Sequence, residues 1–305
     1  MSQSKKTFAI LIATKNRIAD LKITLAKIGY LLSATDLECV IFDDGCTDGT
    51  ADFISENYPE IQLLRNEVSK GYLFCRNKML NETQADFAIS LDDDAHFVTD
   101  YPLEKIAAHF QENQSCGLIA MRIFWGLTEP KITFSAALPQ RVQGFVGCAH
   151  VWRMKAWREI PSYPEWFIFY GEEDFAAYQL YKKDWQVQYL PSILVNHRVD
   201  LKLRKQTSEY TTRLRRSLFS GWCLFLLFRP VRTIPRIMLY SIAIQFKNKV
   251  FKGDFKALKA ICLALFDLFF AIPKIIRNAN RLSMTDFIGF NKLATTKIYW
   301  RPSES

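Results

Sequence analysis

The 305-residue sequence predicts an α/β protein in which a mostly parallel sheet is flanked by helices and followed by an amphipathic helical region. Three observations carry this expectation. Apolar runs of strand length alternate with helix-length segments up to residue 91, as in sheets built from strand–helix–strand units. Two of those runs end in clustered aspartates. Beyond residue 200 the pattern changes to apolar clusters broken by Lys and Arg.

The elements follow in order. Residues 8–13 are a nearly continuous apolar strand, and residues 21–32 show helical apolar spacing. Residues 38–42 form a second buried strand that runs into Asp43-Asp44 and the turn Gly45-Cys46-Thr47-Asp48-Gly49. A helix is expected over 50–58, a third strand over 61–64, a helix over 72–82, and a fourth strand over 87–91 that ends in Asp92-Asp93-Asp94. In open parallel sheets ligands bind at the carboxyl ends of the strands, so both acidic clusters are expected to face one cleft. Three adjacent ionised carboxylates near a sheet edge need a cationic partner. A hard divalent ion that also touches phosphate oxygens would supply one. An isolated run of aspartates is more often a solvated turn. Its place after an apolar strand, beside a second acidic strand end, favours a site.

With 49% hydrophobic and 23% charged residues, the composition excludes a disordered chain, a collagen-like repeat and a disulfide-dense scaffold. Seven scattered cysteines without a C-x-x-C pair argue for a reducing compartment. The amino-terminal apolar run of about six residues is too short for a secretory signal, so a cytoplasmic location is expected. The net charge of +9 is unevenly spread. Residues 197–281 hold 18 Lys and Arg against 4 Asp and Glu, while the rest of the chain is acidic, with 22 against 27. That division suggests one surface for small ligands and another for a polyanion.

Four segments, ILIATKNR, VIFDDGCTDGT, NEVSKGYLFCRN and SLDDDAHF, resemble the family 2 glycosyltransferases, and a fifth, FVGCAHVWRMKAWREIPSYPEWFIFYGEEDFAAYQLYKKDWQV, looks like that family's acceptor-side loop followed by an acidic motif opening a helix. The resemblance covers residues 7–200. It implies a GT-A fold, inverting sugar transfer from a nucleoside-diphosphate sugar, and Mn2+ or Mg2+ as cofactor. On it, residues 1–200 are the nucleotide-sugar-binding and catalytic domain, and residues 201–305 a basic, aromatic, membrane-associating region. The resemblance assigns Thr14, Asn16 and Arg17 to the first nucleotide loop and Asp43, with Asp44, to the base. Lys70, Gly71 and Arg76 belong to a loop closing on the nucleotide, and Asp92 and Asp93 to the donor. Asp94 in the DXD motif is the direct metal ligand, and His197 returns to the diphosphate or metal. The departures are Cys46 where the family commonly has Ser, and Gly171-Glu172-Glu173-Asp174-Phe175, which is one residue shorter than the family's acidic motif.

An inverting transferase needs a carboxylate to deprotonate the attacking hydroxyl. Glu173 is the first choice and Asp174 the second, with Glu172 beside them; acids at a helix start also complement its dipole without any catalytic role. Like-charge neighbours are expected to raise the pKa of Glu173. Gly147 would let the backbone approach the donor sugar, although a strand bend would need the same residue. Trp152, Trp157, Trp166, Phe167 and Tyr170 suit sugar stacking, but most are expected to pack as core or lid.

In the carboxyl-terminal third no stretch reaches the roughly 20 apolar residues of a membrane span. Helices lying in the interface of an anionic membrane, at its inner face, fit better, with Pro230, Pro235 and Pro273 dividing or bending them. A helical subdomain packed on the sheet is the plainer alternative. Nucleic-acid binding is not expected, because the apolar content exceeds what a phosphate-tracking surface needs. The expected acceptor is a lipid-linked or growing cell-surface glycan. A catalytically silent nucleotide-sugar-binding partner is the rival from another class. A nucleotidyltransferase is disfavoured, because ILIATKNR has no glycine-rich phosphate loop.

Overall fold

The computed structural model describes residues 6–199 and 210–302, so the expected boundary at residues 200 and 201 lies outside the described residues. The strands are β1 (Phe8–Thr14), β2 (Leu37–Asp44), β3 (Gln62–Asn66), β4 (Phe87–Leu91), β5 (Ala95–Phe97), β6 (Cys116–Trp125), β7 (Gln140–Val142), β8 (Ala149–Arg153) and β9 (Gln186–His197). The helices are α1 (Ile18–Leu32), α2 (Thr50–Asn57), α3 (Tyr72–Glu82), α4 (Pro102–Glu112), α5 (Met154–Arg158), α6 (Glu172–Lys182), α7 (Tyr210–Phe228), α8 (Ile234–Asn248), α9 (Phe255–Asn278) and α10 (Met284–Asn291).

The strands form one sheet in the order β3-β2-β1-β4-β8-β6-β9-β5, with β7 paired to β9. From β3 to β4 all pairings are parallel. Beyond β4 the sheet is mixed: β8 runs antiparallel to both β4 and β6, and β6 runs parallel to β9. The parallel half aligns Thr14 with Asp43, which brings the ends of β1 and β2 to one edge of the molecule.

Alternation along β1 sorts its side chains to two faces. Phe8, Ile10 and Ile12 pack with Leu21, Leu25 and Ile28 of α1 and with Ile106 and Phe110 of α4. Ala9 and Leu11 face a second core shared by α3, α6, α7 and α9. The basic carboxyl-terminal helices are therefore continuous with the interior of the sheet domain. On α9, Ala257, Ala260, Ile261, Ala264, Leu268, Ala271 and Ile275 are buried at helical spacing, and the alanines leave room for α7. Arg215 of α7 donates from Nε and Nη2 to the two carboxylate oxygens of Asp267 on α9, each at 2.6 Å.

Two of the expected proline breaks are present. Pro230 follows the end of α7, and Pro235 lies in the first turn of α8, where its missing N–H removes no helical bond. Pro273 does not divide its helix: it sits inside α9, which continues to Asn278. The carbonyl it would have paired with belongs to Phe269, which is 66% exposed, so water can take over that acceptor. After α10 the chain returns to the sheet. Gln143 N donates to Ala294 O at 2.9 Å, Trp300 N donates to Ile123 O at 2.6 Å, and the Arg122 guanidinium lies 4.3 Å from the Trp300 ring centre.

Candidate active site

The end of β2 separates two aspartates with different tasks. Asp43 is fully buried and accepts from Cys46 N at 2.6 Å through Oδ1. Its Oδ2 accepts no hydrogen bond, the nearest cation being Arg65 Nε at 3.4 Å. A buried acceptor left open in this way suits a ligand N–H. Asp44 has no such capacity to spare. It accepts from Asn66 Nδ2 (2.7 Å), Ser69 Oγ (2.6 Å), Lys70 N (2.8 Å) and Gly71 N (2.9 Å). Burial alone would raise its pKa, but these bonds outweigh that and hold it below the usual carboxylate range. Asp44 thus fixes the Lys70-Gly71 loop, where Gly71 has a φ of +97° that favours glycine. On β1 the Thr14 hydroxyl donates to Asp93 Oδ2 at 2.8 Å. Asn16 N donates to Cys46 Sγ at 3.1 Å, and Asn16 Oδ1 accepts from Thr47 N at 2.8 Å, which closes the first loop over the second.

The three aspartates after β4 are each matched by a cation of the protein itself. Asp92 meets Arg76 Nη2 at 2.6 Å, Asp93 meets Arg17 Nε at 3.2 Å, and Asp94 lies between Arg17 Nη2 at 2.5 Å and His197 Nε2 at 3.0 Å. Burial pushes Asp93 up to about 7 in spite of Arg17. At Asp94 burial acts the same way, but His197 and Arg17 prevail and bring it down to about 2. Burial would lower the pKa of His197, yet contacts with Cys148 and Asp94 raise it. Asp92, Asp94 and His197 present ligand atoms within 4.8 Å of one another. Two carboxylates and an imidazole form a donor set that fits Mn2+ or a similar divalent ion. His197 reaches this point because β9 runs antiparallel to β5, pairing it with Ala95.

Glu172, Glu173 and Asp174 occupy the first turn of α6, after Gly171 with a φ of +82°. Glu172 is 3% exposed, and its Oε2 has no hydrogen-bond partner. Glu173 Oε1 accepts from Gly147 N at 3.2 Å. Burial first, and then the charge of Glu172, raise the Glu173 pKa well above the ordinary value. The direction matches the expectation from like charges, but burial is the larger cause. Asp174 is solvent-exposed, and the protein around it also raises its pKa. A Cβ on Gly147 would lie 2.7 Å from Glu173 Oε1, so here the glycine makes room for Glu173.

The predicted residues therefore form one connected set. Thr14 links the end of β1 to Asp93, Arg17 links Asp93 to Asp94, and Asp92 N donates to Cys148 O at 2.8 Å, beside the Gly147 that holds Glu173. Buried Arg76 spans Asp92 and the acids of α6, whose charge raises its pKa together with Tyr72 and Asp92, against the lowering by burial. Trp152, Trp157 and Phe167 are buried as core, as expected of most of that group. Sequence reasoning missed Tyr72, whose ring stacks 4.3 Å from the Arg76 guanidinium and whose hydroxyl is 3.5 Å from the Gly147 Cβ position. It also missed Cys148 beside His197. Tyr72 directly follows the loop glycine Gly71, which is the one signal that could have drawn attention to it.

A strand-end acidic cleft on a half-parallel, half-mixed sheet with helices on both faces is the arrangement of a GT-A glycosyltransferase. The profile of the family described as "Glycosyl transferase family 2" matches residues 9–167, just over half of the chain, and the protein belongs to that family. No curated protein sequence matches it. Among solved structures it is similar to GalNAc-T7 with UDP, GalNAc and Mn2+ (TM-score 0.57, 14% identity, 74% of this chain and 49% of the other). It is also similar to S. aureus TarS (0.54, 15%, 72% and 40%). A third is the mannosyltransferase PcManGT from Pyrobaculum calidifontis in complex with GDP-Man and Mn2+ (0.54, 14%, 94% and 79%). The chain thus spans less than half the length of the first two, and identities this low speak for the fold alone.

Proposed function

We propose that this glycosyltransferase is an inverting, metal-assisted enzyme that moves a sugar from a nucleoside-diphosphate donor to a lipid-linked or growing cell-surface glycan. What supports the proposal is the run of contacts that ties Asp43, level with Thr14 on the next strand, to the Asp92-Asp94-His197 set and on through Cys148 and Gly147 to Glu173. The open Oδ2 of Asp43 accepts an N–H of the nucleobase, and the Asp44-anchored loop covers the nucleotide. Asp92, Asp94 and His197 would hold a divalent ion, which when bound offsets the charge that grows on the leaving diphosphate. Glu173, with a raised pKa and an orienting bond from Gly147 N, takes the proton of the attacking hydroxyl. Structures similar in fold contain UDP or GDP-Man together with Mn2+, which supports a donor of this class.

Glu173→Gln is expected to abolish transfer while keeping donor affinity; substantial turnover would move the base to Asp174 or Glu172. In Asp94→Ala, Mn2+-dependent stabilisation by the donor should vanish, and full wild-type activity in excess chelator would remove the metal from the scheme. The ion pairs of Arg17 with Asp93 and Asp94 favour one rival, a donor-binding partner without turnover. Donor hydrolysis or transfer by the purified protein rejects it.

Among the described residues no helix is long and apolar enough to cross a membrane. The exposed Phe255, Phe266, Phe269, Phe270 and Ile276 of α9, with Lys256, Lys259, Lys274 and Arg277 on the same helix, support peripheral binding to the inner, anionic membrane face. Failure to bind anionic vesicles at physiological salt would refute this.

A further inference from the structure

Between α7, α9 and the residues just before α6 lies a cavity of about 310 Å3. Its wall combines Arg215 and Arg216 of α7, Lys274 of α9, and the rings of Trp166, Phe219 and Phe270. Arg215 is neutralised by Asp267, whereas Arg216 and Lys274 have no acidic partner among the described residues. Aromatic walls beside two uncompensated cations make a site for an anion attached to a hydrocarbon. Phe270, 62% exposed, belongs both to this wall and to the apolar outer face of α9, so a chain leaving the cavity has a hydrophobic track to follow.

The wall facing the cleft is strained. Ile168, which also lines the cavity, has a φ of +67°, and Tyr170 has a φ of +75°, conformations that side-chain-bearing residues avoid and β-branched ones most of all. Between them Phe169 packs against Tyr72, ring centres 5.6 Å apart, and Tyr72 stacks on Arg76. Two residues separate Ile168 from Gly171, and four separate it from Glu173, the proposed base. The segment that walls the cavity thus leads within five residues to Glu173 and packs through Phe169 on Tyr72.

We propose that this cavity binds the terminal phosphate or diphosphate of a long-chain amphiphile, whose hydrocarbon lies along α9 and whose glycan end reaches Glu173. Two cations without an acidic partner among the described residues match a terminal phosphate group, with about two charges or more, better than the single charge of a phosphodiester headgroup. The inference rests on the reading of a lipid-linked acceptor and names the part of the protein that would hold its anchor.

The test uses the full chain and calorimetric titration with farnesyl diphosphate, farnesol, inorganic diphosphate and dihexanoylphosphatidylglycerol. Farnesyl diphosphate is expected to bind at least tenfold more tightly than each of the other three. The double variant Arg216→Ala/Lys274→Ala should lose at least tenfold in that affinity, whereas Glu173→Gln should retain it. Farnesol binding equally well would reduce the cavity to a greasy groove, and inorganic diphosphate binding equally well would make it an anion site without a lipid. Equal affinity for the phosphatidylglycerol would assign it to bulk membrane lipid; each of these results overturns the proposal. Unchanged farnesyl diphosphate affinity in a correctly folded double variant, checked by circular dichroism, overturns it even if lipid-linked product forms. Transfer exclusively to lipid-free glycan would instead refute the acceptor reading, whatever the cavity binds.

Discussion

Gly147→Ala isolates the position of the proposed base from its chemistry. Gly147 has no positive φ, so an alanine there introduces no backbone strain and acts only through the space its methyl occupies. That methyl would lie 2.7 Å from Glu173 Oε1 and 3.4 Å from its carboxyl carbon. To reach ordinary contact the oxygen must retreat by about 0.7 Å, which stretches or breaks its 3.2 Å bond from Gly147 N. A shift of that size at a reacting group lowers turnover about 10- to 100-fold. Donor affinity should hold, because the proposed nucleotide contacts lie at the ends of β1 and β2. The assay pairs transfer kinetics with calorimetric donor binding. Gly144→Ala is the control: its methyl would meet the Thr296 hydroxyl at 2.8 Å, a side-chain tip that can rotate away, and lies 3.7 Å from Asp174. Wild-type turnover in Gly147→Ala, or a larger loss in Gly144→Ala, would show that Glu173 is not the positioned base.

Asp44→Ala strands the amides of Lys70 and Gly71 and should cost about 2–4 kcal/mol in stability at neutral pH, measured by urea denaturation. Because the folded-state pKa of Asp44 is depressed, its contribution is complete above the unfolded value of about 3.9 and is lost as pH falls through the folded one. The gap between Asp44→Ala and wild type should therefore narrow in strong acid. The raised pKa of Glu173 puts the acid limb of kcat/KM above the ordinary glutamate value of about 4.3, with activity falling as pH drops through it. A limb centred at the ordinary value would count against Glu173. Arg76→Met removes the buried partner of Asp92 and should destabilise the protein by about 3 kcal/mol, read from the same denaturation curves, whereas near-wild-type stability would mean that the Arg76–Asp92 pair carries little.

The parallel half of the sheet was legible because each strand there is an apolar run closed by a turn; the boundaries of β1, α3 and β4 fall within a residue of expectation. The mixed half was less so. β8 and β9 are buried on both faces and carry polar residues such as His150 and Asn196 inside, which breaks the simple apolar pattern. The acids of the site could be read from sequence because strand-end carboxylate clusters are rare. Their neutralisation could not: Arg17 and Arg76 lie 77 and 16 residues from their partners, and no local spacing reports such pairs. Gly147 shows the same limit, since its neighbour Glu173 comes from a different element 26 residues away.

The return of the last described residues to β6 has a practical corollary. Tyr299 packs on Trp125 with ring centres 5.7 Å apart, and Trp125 in turn lies edge-on to His197 at 6.1 Å. A purification handle fused after residue 302 would begin three residues beyond Tyr299 and so close in sequence to this aromatic relay. One fused before Thr7 would emerge at the opposite rim, where β1 begins, and is the better choice for kinetic work.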